Sequence, residues 1–164
     1  MANEILSTPN IYLGMRGPCD RVHRISSFGR NGPGSRMTCQ YCGSTAVLVD
    51  SIMIYKTRSF GHAWVCSRYP SCDSYVGCHP GTHKPLGILA NQELRTLKRE
   101  VHLRFDRLWK LKMMREKCRQ RVARQTGYLW LACKMGLSEA ECHIGKFNEE
   151  KCRQALKILA ELKK

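Results

Sequence analysis

Cys39-Gln40-Tyr41-Cys42-Gly43 opens a stretch that closes on Cys66-Ser67-Arg68-Tyr69-Pro70-Ser71-Cys72 and runs on to Cys78. Two thiols separated by two residues form a knuckle that can grip one metal ion. The glycine after the second thiol allows the tight turn such a knuckle needs. After 23 intervening residues comes a second, wider pair, Cys66 and Cys72. Four thiolates in two pairs suit Zn²⁺, which takes tetrahedral sulfur ligation and needs no redox chemistry. The expected site is one zinc ion on Cys39, Cys42, Cys66 and Cys72. Cys78 and His79 follow closely enough to offer an alternative fourth ligand. Four thiolates leave no open position for water, so the expected role of the metal is structural.

The flanking residues carry a resemblance. Gly43 follows the first pair, Trp64 precedes the third cysteine, and Ser67, Tyr69 and Pro70 lie inside the second pair. This arrangement resembles the zinc ribbons at the C-terminus of bacterial type I topoisomerases, which bind single-stranded DNA and hold one zinc each. The likeness covers about a fifth of the chain, and the remainder is too short for a topoisomerase catalytic domain. A longer likeness starts at the ribbon and reaches the C-terminus. It runs through Trp64-Val65-Cys66, Cys72-Asp73-Ser74-Tyr75-Val76-Gly77-Cys78-His79 and Pro85-Leu86-Gly87-Ile88-Leu89-Ala90-Asn91. His102, Phe105-Asp106, Leu108-Trp109, Tyr128-Leu129-Trp130 and Cys142-His143-Ile144-Gly145-Lys146-Phe147 continue it. These segments resemble a family of small zinc-finger-containing proteins of phages and prophages. The resemblance implies a fold and a phage origin, and no activity.

Of the net charge of +15, +8 falls within residues 91–126, where twelve basic side chains face four acidic ones. A positive field concentrated in this way attracts polyanions, nucleic acid first and an acidic protein second. The ten cysteines suggest metal rather than disulfides, because no signal peptide precedes them. No apolar run approaches membrane-spanning length. The expected compartment is a reducing cytoplasm, that of the host if the chain is phage-encoded, with no membrane and no small-molecule substrate as partner.

Three units are expected: a basic arm over 1–38, a zinc ribbon over 39–90 and a basic helical subdomain over 91–164. The fold class is α+β, with short antiparallel strands followed by three to five helices. The arm is rich in Gly, Pro and Arg and short of apolar residues. Its Cys19 and His23 are too isolated to make a ligand pair. In the ribbon, the runs 45–49, 52–55, 62–66 and 74–77 read as strands. Asn91 is placed to cap a helix whose apolar stripe is Leu94, Leu97, Val101, Phe105, Leu108 and Leu111. A single helix through to 126 would be about 54 Å long, so a bend is expected near 110–114. Gly127 is expected to interrupt or bend the next helix, and Gly136 to close it. Ser138-Glu139-Ala140-Glu141 reads as a capping box for a short helix, and Asn148 as the cap of the last.

The candidate nucleic-acid contacts on the ribbon are Lys56, Arg58, Trp64, Arg68 and Tyr69, which mix cations with stacking rings. On the helices they are Arg95, Lys98, Arg99, Arg115, Arg119, Arg121 and Arg124. Unpaired DNA or RNA is the favoured partner, and an acidic host protein the alternative. Cys118, Cys133, Cys142, His143 and Cys152 contain no close pair beyond the adjacent Cys142-His143, so core thiols are expected there rather than a second metal site. No phosphate loop or nucleophile-and-base set is present. His102 and Asp106, one helical turn apart, read as a structural pair rather than an acid/base couple. The chain is accordingly expected to bind rather than catalyse.

Overall fold

The computed structural model describes residues 37–162, so the basic arm, with Cys19 and His23, lies almost wholly outside the described residues. Three antiparallel strands come first: β1 (Ala46–Asp50), β2 (His62–Cys66) and β3 (Tyr75–Gly77), in the order β1-β2-β3. Three longer helices follow: α2 (Gln92–Glu116), α3 (Gln120–Met135) and α4 (Glu149–Glu161), with a 3-10 turn at Ile144–Lys146. The fold is therefore α+β, with the sheet preceding the helices.

Where a strand is expected at 52–55, the chain forms a one-turn helix, α1 (Ile52–Tyr55). The run is apolar and β-branched, but its neighbours decide its conformation. The Asp50 carboxylate accepts from Ile52 N–H at 2.8 Å, and Ser51 O accepts from Ile54 and Tyr55 N–H at 3.0 Å. A side chain that captures a backbone donor, as Asp50 does, starts a helical turn, and the Ser51 carbonyl closes it.

Register fixes what each sheet face carries. Ala46 pairs with Cys66, Leu48 with Trp64, and Trp64 with Val76, so these residues share one face. Val47 pairs with Val65, Val65 with Tyr75, and Ala63 with Gly77, which puts them on the other. The outer edge of β3 is covered by the returning chain: Tyr75 and Ala90 exchange N–H···O bonds at 3.1 Å, and Leu86 N–H donates to Gly77 O at 2.8 Å.

The helical core joins Leu94, Val101, Phe105, Leu108 and Trp109 of α2 to Trp130 and Leu131 of α3, Ile144 and Phe147, and Cys152, Ala155 and Leu159 of α4. Both asparagine caps form: Asn91 Oδ1 accepts from Leu94 N–H, and Asn148 Oδ1 from Lys151 N–H, each at 2.9 Å. Gly136 closes α3 in the left-handed region, at φ 66°.

The bend expected at 110–114 is absent. Nothing in that run breaks a helix, and the Lys112–Glu116 pair one turn apart, at 2.6 Å, supports continuing it. The break comes at Lys117, left-handed at φ 48°. Gly127 neither interrupts nor ends α3. It is buried inside the helix, where a Cβ would stand 3.2 Å from the Phe105 ring, so its missing side chain lets α2 and α3 approach. The reciprocal Ser138–Glu141 contacts form, with Ser138 Oγ donating to Glu141 Oε2 at 2.6 Å, but they close a turn rather than a helix.

Ribbon and helices meet through backbone. Gly145 O accepts from Ile88 N–H at 3.1 Å and from Lys98 Nζ at 2.7 Å. A Cβ on Gly87 would stand 1.9 Å from Gly145 O, and one on Gly145 would stand 2.4 Å from Leu86 O. Neither obstacle is a flexible side-chain tip, so the backbones would have to separate. Gly87→Ala and Gly145→Ala should each cost about 1–3 kcal/mol or more, read as a lowered denaturation midpoint. A midpoint equal to that of the wild type would contradict this junction.

Candidate metal centre

The first knuckle precedes β1. Gly43 N–H donates to Cys39 O at 2.9 Å and Cys39 N–H to Ser44 O at 2.7 Å, with Gly43 at φ 71° where a side chain would be strained. The second knuckle starts at the end of β2. Tyr69 N–H donates to Cys66 O at 2.9 Å, and Cys72 N–H to Arg68 O at 3.0 Å. Pairing of Ala46 with Cys66 brings the two loops to the same end of the sheet.

The Sγ atoms of Cys39, Cys42, Cys66 and Cys72 all lie within 4.8 Å of one another. Cys39 Sγ is 3.6 Å from Cys72 Sγ, and Cys42 Sγ is 3.3 Å from Cys66 Sγ. A zinc–sulfur tetrahedron with bonds of about 2.3 Å has edges of roughly 3.8 Å, so the cluster needs only a small adjustment to close on the ion. Ser74, fully buried, sets its hydroxyl 3.0 Å from Cys39 Sγ and 3.3 Å from Cys72 Sγ. A hydroxyl there orients the ligand sulfurs and disperses their charge. Nothing in the sequence singles out Ser74, because one serine beside a knuckle carries no spacing signal.

The thiols sit in unequal surroundings. Burial pushes Cys66 up to about 12. The side chain and backbone of Ser44 draw Cys42 down to about 6. At Cys39, burial acts upward, but the Ser74 hydroxyl and the backbone N–H groups of Tyr41 and Cys42 together outweigh it. A divalent cation at the centre reverses the burial penalty, because a coordinating thiol is deprotonated by the ion it binds.

Cys78 and His79 stand outside the cluster, and Cys72 occupies the fourth corner. Burial raises the Cys78 thiol above its usual range. Among the described residues, no second group of three or more potential ligands comes within 4.8 Å. Cys142 and Cys152 are core thiols, held up at about 12 and about 11 chiefly by burial, and Cys118 packs half-buried against the same core, but Cys133, expected there too, is exposed on α3. His143 stacks on Tyr128 at 5.4 Å and accepts from Gly145 N–H at 3.2 Å through Nδ1. Asp106 accepts from Trp109 Nε1 at 2.8 Å, a structural bond in place of the expected pairing with His102.

The residues expected to contact nucleic acid stand in different surroundings. Arg95 binds Asp73 and Ala90 carbonyls, pairs with the Asp73 carboxylate at 2.8 Å, and lies 4.1 Å from the Tyr75 ring centre. Lys98 is turned inward to Gly145, and burial pulls its ammonium down to about 8. Arg95 ties the ribbon to α2, and Lys98 ties α2 to the 3-10 turn on which the ribbon rests. Trp64 is half-buried beside the cysteine cluster, with Nε1 donating to His83 O at 2.9 Å. Lys56, Arg58, Arg68, Tyr69, Arg99, Arg115, Arg119, Arg121 and Arg124 are exposed. Arg124 also lies 5.8 Å from the Tyr128 ring centre.

Two knuckles on a three-stranded sheet, with four thiols converging, define a zinc-finger domain with a donor set suited to Zn²⁺. The model of a family described as a zinc-finger-containing domain, DUF3268, matches residues 35–162, and the chain belongs to that family. Searches of curated proteins and of solved structures give no match.

Purified protein should contain one zinc per chain by elemental analysis. Cys39→Ser and Cys66→Ser should lose it while helical circular dichroism largely persists, and Cys78→Ser should keep it. Because protons compete for thiolates, acid should release the metal, followed with a chromogenic chelator. Loss of zinc in Cys78→Ser but not in Cys72→Ser would reassign the fourth ligand.

Proposed function

We propose that the chain is a non-catalytic zinc-ribbon protein that binds nucleic acid, unpaired DNA or RNA in preference to duplex. The observation that carries this reading is the corner between α2 and α3. Arg115, Lys117, Arg119, Arg121 and Arg124 are all exposed there. The single acidic residue in this run, Glu116, is already paired with Lys112 at 2.6 Å. A cluster of exposed cations on a helix corner is an electrostatic footprint for phosphates. Along α2, twenty residues separate Arg95 from Arg115, a distance of about 30 Å. A strand touching both the corner and the ribbon cations Lys56, Arg58 and Arg68 would therefore run the length of that helix.

The topoisomerase-like flanks of the knuckles support single-strand binding by the ribbon. The likeness to phage and prophage proteins supports a phage-encoded chain working in the host cytoplasm. No helix among the described residues is long and apolar enough to cross a membrane. Four thiolates filling the metal's shell support a structural ion and a binding rather than catalytic role.

A second reading rests on a different observation. Met114 and Val122 are 63% and 52% exposed beside the same corner. Apolar side chains among cations suit an acidic protein surface, here a host polymerase, replication or defence complex.

Replacing Arg115, Arg119 and Arg121 together with Gln should weaken binding to every sequence alike. It should also flatten the slope of log affinity against log salt by roughly three units, about one per phosphate contact. Filter binding at several salt concentrations measures both. Wild-type protein that binds neither single- nor double-stranded nucleic acid at low salt would end this reading. A stoichiometric host-protein complex that survives nuclease would favour the second, and metal-dependent strand cleavage would contradict a non-catalytic role.

A further inference from the structure

The sheet face opposite the cysteine cluster forms the floor of a cleft of about 610 Å³. That lies within the ~300–1,000 Å³ of clefts that accept small organic groups. Ala63, Tyr75 and Gly77 contribute the floor, and α1 and the following loop contribute the wall. Three rings meet edge to face: Tyr55 lies 5.2 Å from Phe60 and 6.2 Å from Tyr75. Cations stand over two of them, Arg58 at 4.5 Å from the Phe60 centre and Arg95 at 4.1 Å from that of Tyr75. Phe60 is 60% exposed and Tyr55 44%.

This aromatic wall is anchored. Ser51 is 4% exposed, and its hydroxyl accepts from Phe60 N–H at 2.7 Å. Ser51 N–H donates to Gly61 O at 2.9 Å, closing the loop at its base. Phe60 is thus presented by a pinned loop, which lowers the ordering cost of stacking on it. None of the residues lining the cleft is acidic. Exposed rings, an exposed guanidinium beside them and an absence of carboxylates are complementary to a flat heteroaromatic group carrying an anionic tether.

We propose that this cleft receives one unpaired base of a single strand, stacked on Phe60 with Tyr55 at its edge, and with Arg58 and Lys56 beside the flanking phosphates. The proposal rests on the nucleic-acid reading above and adds to it a base-stacking site centred on Phe60.

The test is fluorescence anisotropy with a labelled twelve-residue oligothymidylate and a duplex of equal length, on zinc-loaded full-length protein. Phe60→Ala should weaken oligothymidylate binding roughly 5- to 150-fold. The salt slope and the duplex affinity should stay unchanged, and Phe60→Trp should restore binding. Zinc content and circular dichroism verify that both variants are folded. Wild-type affinity for oligothymidylate in folded Phe60→Ala would overturn the proposal. Wild-type protein that binds duplex but not oligothymidylate would overturn it while leaving phosphate binding by the helix corner standing; binding to neither would overturn both. Thymidine monophosphate that competes as tightly as the oligomer, in a Phe60-dependent way, would overturn the assignment to a strand in favour of a free nucleotide.

Discussion

Convergence of four sulfur atoms within 4.8 Å is the constraint on which the sheet depends. Strands of five, five and three residues bury little apolar surface. Small structural zinc sites supply about 10–16 kcal/mol, enough to replace the missing core. The placement of the ligands shows how. One knuckle lies just before β1, Cys66 ends β2, and Cys72 lies shortly before β3. A single ion therefore ties all three strands at one end of the sheet. The ligand thiols give up their protons to the ion they bind, so forming this corner and binding the metal are coupled.

The sheet would be a free appendage but for its junction with the helices. Gly87 and Gly145 let two backbones touch, and Lys98 and Arg95 close the contact from α2. Burying an ammonium such as that of Lys98 is unfavourable unless it finds an acceptor, and Gly145 O supplies one at 2.7 Å. Arg95, through Asp73, fixes the ribbon on α2, while Lys98 holds the turn that carries Gly145. Arg115, Lys117, Arg119 and Arg121 remain exposed where α2 gives way to α3.

The local features of this architecture could be read from sequence where one residue type has one physical use. Paired cysteines, the caps Asn91 and Asn148, and Gly136 are of this kind, and so is the apolar stripe of α2. What could not be read depends on tertiary partners. A short β-branched run such as Ile52–Tyr55 fits a strand or a helical turn equally, and the Asp50 and Ser51 interactions decide between them. Gly127 reads as a breaker when it is a contact point for Phe105. Lys117 takes a left-handed conformation that carries no glycine signature. Arg95 and Lys98 fall off the apolar stripe and so read as solvent-facing, yet Arg95 holds the ribbon and Lys98 the turn at Gly145. Charge patterning shows which cations lie off a helix core; it does not show which of them a neighbouring element has claimed.

Two serines carry the remaining logic. Among the described residues, Ser51 and Ser74 are the buried polar side chains, and each lies behind a different face of the same three strands. Ser74 stands behind the sulfur cluster, where a hydroxyl lost to alanine would leave two ligand sulfurs without their buried partner. Ser51 stands behind the aromatic loop, where the same loss would free Phe60 N–H inside the fold. Burying a hydroxyl is costly unless a hydrogen bond offsets its desolvation. The metal face and the ring-lined face are thus both built around a satisfied polar group, on a sheet too small to hold either in place without the ion. Removing the metal should therefore disturb the aromatic cleft although no ligand lines it, because the strands that form its floor are held by the opposite face.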